Sequence, residues 1–324
     1  MTAHHVLVTG GSGFIAGHII LQLLEQGQRV RTTVRSPGRE GAVRAVLTDA
    51  GMVHPDALSF AAADLTSDAG WAEAVDGVDT VLHVASPVQP GHVENDDDLI
   101  RPAVDGALRV LRAARDAGVS RVVLTSAFHA VSWGHPASDH VFTEDDWTIL
   151  DGPDVDAYGK SKTLAERAAW DFMAAEGGSM ELTTMLPVAV MGPVMGSDIS
   201  GANQIVQRML AGAFPAFPHL WIPVVDVRDV AAAHILATTA PEAAGQRLLL
   251  SDGPAMELSQ IGALLHDRLG VAAAKVPTES MSGEPGLPKL TSNEKARRVL
   301  GWEPRPASEA IVAAAESMLA KDLV

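Results

Sequence analysis

The chain has 324 residues, 40 acidic against 24 basic, a formal net charge of −16 and no cysteine. Without a thiol there is no disulfide, no cysteine nucleophile and no thiolate zinc or iron–sulfur site, and the negative charge argues against general affinity for nucleic acid or an anionic membrane. At 47 % hydrophobic and 20 % charged the composition is that of a globular chain. No basic leader runs into an apolar stretch and no apolar run is long enough for a bilayer, so a cytoplasmic protein is expected.

In chain order, β-branched runs alternate with helical periodicity. Strands are expected at His5–Thr9, Arg29–Val34, Leu58–Ala62, Thr80–Val84, Arg121–Ser126 and Leu182–Leu186, and helices at Phe14–Gln26, Gly41–Ala50, Leu99–Ala117 and Tyr158–Ala175. This alternation predicts an α/β fold, a Rossmann-type doubly wound parallel sheet, over residues 1–186. Beyond Pro187, glycine and proline break the rhythm, and helices are expected at Val227–Thr238, Glu257–Leu269, Asn293–Leu300 and Ala307–Leu319. Residues 187–324 read as a smaller C-terminal α/β substrate lobe, with the chain around 220–250 returning to the main sheet. The acidic run Glu94–Asp98 precedes a helix, where negative charge is favourable; it lacks the spacing of a calcium loop.

Residues 5–18 carry an apolar strand into a glycine turn that opens a helix. A dinucleotide pyrophosphate needs that context: Gly10 for the sharp turn, Gly13 for close backbone approach, Ala16 for tight helix–strand packing, and the first helical N–H groups, at Phe14 and Ile15, for the anion. NAD-selective sites place a carboxylate on the ribose about 20 residues further on. Here Arg35 stands in that place, followed by Arg39, and a guanidinium suits a 2′-phosphate. NADP(H) is therefore expected, with Arg31, Arg35, Arg39 and Arg44 forming a basic exception to the acidic surface. Strand ends should complete the crevice: Asp64, toward the adenine amino group, with Leu65; Val84, Ala85 and Ser86; Thr125; and Pro187 with Val190.

Tyr158, the only tyrosine, and Lys162 lie four apart and share a helix face. An ammonium beside a phenol lowers its pKa, which suits proton donation to a carbonyl oxygen. Ser126 ends the fifth strand, where a hydroxyl can stabilise oxyanion charge.

Six segments together resemble the extended short-chain dehydrogenases/reductases, in particular the dihydroflavonol reductase, cinnamoyl-CoA reductase and microbial aldehyde/ketone reductase group. They are Thr9-Gly-Gly-Ser-Gly-Phe-Ile, Thr32-Thr-Val-Arg35, Val84-Ala-Ser-Pro87, Pro102-Ala-Val-Asp-Gly106, Tyr158-Gly-Lys-Ser-Lys162-Thr-Leu-Ala-Glu and Leu300-Gly-Trp-Glu-Pro304. The resemblance implies a Ser126/Tyr158/Lys162 catalytic set with NADPH as hydride donor, Lys162 also binding the nicotinamide ribose. One departure matters. The group shows Thr-Ser-Ser after the fifth strand, and strict alignment puts Ala127 in the slot of the catalytic serine. Ser126 is the expected substitute, through a shifted strand end; the alternatives are that Thr125 or His129 takes its place, or that the hydroxyl is missing.

The substrate pocket is expected between Val88, Phe128, His129, Met191 with the loop to Met195, and Trp221. Apolar walls of this kind fit a small-molecule carbonyl compound. His129, His135 and His140 lack metal-ligand spacing, and no metal is expected. The expected activity is reduction of aldehydes or ketones to alcohols by a monomer or homodimer. The alternatives are a nucleotide-sugar epimerase or dehydratase, which Arg35 disfavours, and a catalytically silent NADP(H)-binding regulator.

Overall fold

A computed structural model describes residues 4–87, 95–199, 201–284 and 286–324. Its strands are β1 (His5–Val8), β2 (Arg29–Val34), β3 (Leu58–Ala62), β4 (Thr80–His83), β5 (Arg121–Thr125), β6 (Val141–Phe142), β7 (Glu181–Pro187), β8 (Ala189–Met191), β9 (Trp221–Ile222), β10 (Val224–Asp226), β11 (Arg247–Leu250), β12 (Met256–Glu257) and β13 (Leu290–Thr291). Its helices are α1 (Phe14–Glu25), α2 (Glu40–Asp49), α3 (Trp71–Val75), α4 (Asp97–Asp116), α5 (Ala157–Glu176), α6 (Asn203–Leu210), α7 (Val227–Thr239), α8 (Leu258–Leu269), α9 (Glu294–Leu300) and α10 (Ala307–Ala320).

Seven strands make one parallel sheet in the order β3-β2-β1-β4-β5-β7-β11. The order reverses between β1 and β4, and that switch point opens a crevice at the carboxyl ends of the strands. Helices cover both faces, as a parallel sheet requires. Strand alternation divides the core: Val123 of β5 packs with Ile19, Ile20 and Leu23 of α1 and Val230 of α7. Its neighbours Val122 and Leu124 face the other way, toward Val110 and Leu111 of α4 and Phe172 of α5.

A separate apolar cluster lies in the C-terminal part, built from α6, α8 and α10 with Ile222 and Val224. β8 pairs with β10, β9 with β12, and β6 with β13. No expected element corresponds to these two- and three-residue pairings or to α3 and α6, because segments so short carry no readable period. β11 lies at the edge of the main sheet, parallel to β7. Helix α4 starts two residues before the expected Leu99, with Asp97 and Asp98 in its first turn; Asp96 pairs with Lys160 of α5 at 2.7 Å.

Three buried histidines tie elements together as neutral rings. Thr9 Oγ1 accepts the backbone N–H groups of Val84 and Ala85, so its own proton goes to His83 Nδ1 at 2.9 Å. His234 Nδ1 donates to the Val230 carbonyl and its Nε2 accepts from Thr125. His18 bonds the Pro193 carbonyl at 3.0 Å. Burial pushes their pKa values down, to about 3 for His83 and about 4 for His18 and His234.

Unfolded, each titrates near its ordinary value of about 6.5. The stability they contribute is therefore whole above that pH and is lost as pH falls toward about 4. Thermal unfolding followed from neutral pH to about pH 4 should show this loss. His234→Asn should be less stable at neutral pH yet lose less on acidification; parallel losses in variant and parent would contradict the assignment.

Candidate active site

The glycine turn sits where β1 meets β4 and β2. Gly10 has φ +75°, and a Cβ on it would lie 3.0 Å from the Ala85 Cβ. Gly11, not singled out in the sequence, is the tighter position: a Cβ there would lie 2.4 Å from Thr32 Oγ1. That threonine cannot simply turn away, since its hydroxyl donates to the Val8 carbonyl at 2.7 Å. Thr33 Oγ1 accepts the Gly10 N–H at 2.9 Å, and the Gly11 N–H donates to the Thr33 carbonyl. Three threonines, Thr9, Thr32 and Thr33, thus hold the turn from both neighbouring strands. Gly13 is the N-cap of α1, with no side chain capping the helix, so Phe14 and Ile15 offer first-turn N–H groups toward the crevice.

The basic patch is smaller than expected. Arg31 donates to the carbonyls of Glu73, Ala74 and Asp76. Arg44 pairs with Glu40 and with the Pro55 and Leu58 carbonyls. Both are spent on structure. Arg35 and Arg39 are exposed just past β2, and their guanidinium groups have no hydrogen-bond or ion-pair partner among the described residues. Asp64 Oδ1 accepts the backbone and hydroxyl of Thr66, at 2.8 and 2.7 Å. Those bonds hold its carboxyl below the usual range.

Helix α5 begins where Asp156 caps it, accepting the Gly159 N–H at 2.7 Å. Tyr158 follows, half-buried in the first turn. Lys162, one turn on, is buried and donates to Ser86 Oγ at 3.0 Å, past the end of β4. Its Nζ lies 5.6 Å from the centre of the Tyr158 ring. Ser86, His83, Ser126, Lys162 and Glu166 line a cavity of about 20 Å³, room for one water. Burial lowers the Lys162 pKa to about 8, with Glu166 opposing. Burial pushes the phenol up to about 12, and Asp156 adds to the rise. In the free protein burial sets the direction of the phenol's shift, while the ammonium expected to lower it is engaged by Ser86.

Ser126 is not free beside the phenol. Alternation sends Thr125 to His234 on one face of the sheet and Ser126 to the other, where its hydroxyl donates to Glu166 at 2.7 Å. Glu166 lies eight residues beyond Tyr158, about 12 Å along the helix axis. Ala127 is buried, with extended backbone. His129 comes instead to the phenol, ring centres 4.9 Å apart and nearly perpendicular.

The remaining pocket residues divide. Phe128 is a core side chain, edge-on to Trp133 and Phe142, and Met191 is fully buried in the C-terminal cluster; their apolar surface is already used, which corrects their assignment to the pocket wall. Met195 packs where a side chain on Gly17 would otherwise lie. Trp221 is half-buried on the β9–β12 ribbon. Pro187 ends β7 and Val190 lies in the following strand β8; Leu65 packs on Gly106 of α4. Val88 lies outside the described residues. His135 and His140 bond the Trp147 carbonyl and Asp146, and no cluster of three metal-ligating side chains occurs among the described residues. No described helix is long and apolar enough to cross a membrane.

A parallel sheet with a glycine turn at its switch point, and a Tyr-x-x-x-Lys helix beside it, defines an extended short-chain dehydrogenase/reductase. The profile of the "NAD dependent epimerase/dehydratase family" matches residues 6–249, and the chain belongs to that family. Cinnamoyl-CoA reductase 1 of Arabidopsis thaliana is 37 % identical over 248 residues, covering 75 % of this chain and 69 % of that one. Cinnamoyl-CoA reductase CAD2 of Medicago truncatula is 30 % identical over 325 residues, covering 98 % and 96 %. The crystal structure of yeast methylglyoxal/isovaleraldehyde reductase Gre2 complexed with NADPH superposes with a TM-score of 0.84 at 27 % identity, over 99 % of this chain and 100 % of that one.

Gly11→Ala should lower the melting temperature and weaken dinucleotide binding, because the new methyl meets Thr32. Thr32→Ala in the same chain should restore part of both by making room. Calorimetry and fluorescence titration check this; a single variant with the parent's stability and affinity would contradict the close approach.

Proposed function

We propose that the protein is an NADPH-dependent reductase of aldehydes or ketones, with Tyr158 as the proton donor. The observation that carries the reading is the Tyr158–Lys162 array, joined through Ser86 to the strand end that touches the glycine turn. The cofactor fits what is present: a turn with no room for a Cβ at Gly11, an uncapped helix N-terminus, and two unengaged arginines past β2. The NADPH bound by Gre2 supports the same choice.

Gly10, Gly13, Phe14 and Ile15 would hold the pyrophosphate, and Arg35 the 2′-phosphate, with Arg39 near it. Asp64 would use its second oxygen on the adenine, beside Leu65. Val84, Ala85, Ser86, Thr125, Pro187 and Val190 would line the remaining crevice, and Lys162 would reach the nicotinamide ribose. Bound NADPH supplies a hydride to the carbonyl carbon. The protein's part is the proton. A phenol raised to about 12 is fully protonated at neutral pH, the state needed to donate to a carbonyl oxygen as negative charge builds there. The Lys162 ammonium, one turn below, stabilises the phenolate left behind, and solvent returns the proton to it. Substrate would lie against His129 and Trp221.

Because the phenol must start protonated and the Lys162 ammonium, with its pKa lowered to about 8, must stay charged to stabilise the phenolate, reduction should hold steady through neutral pH and fall above about pH 8, whereas alcohol oxidation should gain on reduction as pH rises. Tyr158→Phe should bind NADPH as the parent does and lose carbonyl reduction by about 10²- to 10⁴-fold, the range for a general acid; retained turnover would overturn the role. Arg35→Asp should cut the preference for NADPH over NADH by about 10- to 100-fold, the scale of a charge-assisted hydrogen bond. An unchanged preference would remove Arg35 from the site.

A further inference from the structure

A second hydrogen-bond donor beside the reacting phenol is missing from its expected place. Ala127 occupies that slot and the Ser126 proton is committed to Glu166. The 3₁₀ turn Phe128–Ala130 then carries His129 to the level of Tyr158, ring centres 4.9 Å apart at 80°. On its other side the imidazole stacks on Trp133, 3.8 Å away and 18° from parallel. Lys289 Nζ lies 3.6 Å from the centre of the same indole. Ring and ammonium cannot share one face at those distances, so Trp133 is sandwiched between them.

The surroundings fix this column. Lys289 Nζ donates to the Ser132 carbonyl at 2.9 Å. Thr148 Oγ1 donates to the His129 carbonyl at 2.7 Å and accepts the Trp133 N–H at 3.0 Å. The His129 side chain is therefore oriented from three directions. Yet neither of its ring nitrogens, nor the Tyr158 hydroxyl, has a hydrogen-bond partner among the described residues. Both side chains keep part of their surface open. Two unpaired polar groups, held rigidly together at the edge of a crevice, are what a site for one polar ligand atom looks like. Burial lowers the His129 pKa to about 4, which Lys289 and Lys162 reinforce against Asp156. The ring is neutral, with one N–H to donate.

We propose that His129 donates the second hydrogen bond to the substrate's carbonyl oxygen, beside the Tyr158 hydroxyl, and that the Trp133–Lys289 sandwich holds the imidazole for it. The proposal rests on the carbonyl-reductase reading. His129 keeps its proton throughout: the phenol O–H breaks, the carbonyl oxygen becomes the alcohol hydroxyl, and NADPH is oxidised to NADP⁺ as its hydride reaches the carbonyl carbon. The imidazole N–H stabilises the charge that builds on the oxygen between those events.

The test separates shape from hydrogen bonding. His129→Phe keeps the stack on Trp133 and the edge contact with Tyr158 but removes both nitrogens. His129→Asn keeps an N–H and loses the stack. With NADPH and a panel of aryl ketones and short aldehydes, His129→Phe should lower kcat about 100-fold, the cost of one oxyanion donor. Its melting temperature and NADPH affinity should stay close to the parent's. His129→Asn should recover at least about a tenth of the parent's kcat, and Ala127→Ser placed in the His129→Phe chain should raise turnover by returning a hydroxyl to the family's position. If His129→Phe keeps kcat within about threefold of the parent, well short of that cost, the histidine only packs and the proposal falls. If the parent itself oxidises no NADPH with any carbonyl while still binding it, the reductase reading is what fails.

Discussion

Glu166 is the constraint on which the site is built. It is buried on α5 and accepts from Ser126 at 2.7 Å, from Thr184 of β7 at 2.8 Å and from Arg247 of β11 at 2.8 Å. One carboxylate thereby ties the helix to three neighbouring strands of the sheet. Rotation of α5 is fixed, and Lys162 and Tyr158, one and two turns away, take up defined places over the crevice. Removing one partner of such a buried pair costs about 3–5 kcal/mol, because the other charge is left uncompensated. Its reach is wider still. Arg247 donates to the carbonyls of Glu144 and Asp146 and lies 3.5 Å from the centre of the Trp147 ring. It thus holds the loop whose Thr148 secures His129.

The same burial sets the chemistry. Desolvation disfavours charge on the groups around the phenol: it raises the phenol itself, lowers Lys162 and Lys289, and keeps His83 and His129 neutral. Lys162 lies 5.6 Å from the centre of the phenol ring, and Glu166 one turn below favours its charged form. The dinucleotide side is kept in order by hydroxyls rather than charges, with Thr9, Thr32 and Thr33 closing the glycine turn between β1, β2 and β4.

Much of this was legible in the sequence, and what was not has physical reasons. Periodicity located the long helices and core strands, and the glycine turn declared itself because only glycine allows φ near +75° with a neighbouring chain at contact distance. The need for glycine at residue 11 could not be read, since it depends on Thr32 across the sheet. Arg35 and Arg31 look alike in sequence; only the carbonyls at the end of α3 distinguish a spent arginine from an open one. Ser126 matched a motif by position, yet strand alternation aimed it at a glutamate forty residues away. His129 was noted as an alternative, but nothing in the sequence announces that Trp133 and Lys289 would stack behind it.

The most direct test of the central claim, a phenol kept protonated by burial beside a buried ammonium, is the ultraviolet titration of tyrosinate. Tyr158 is the chain's only tyrosine, so the signal belongs to one group. The account predicts no tyrosinate between about pH 7 and about pH 10 in the free protein, against an ordinary phenol that is half ionised at about 10. Ionisation near neutral pH would contradict it.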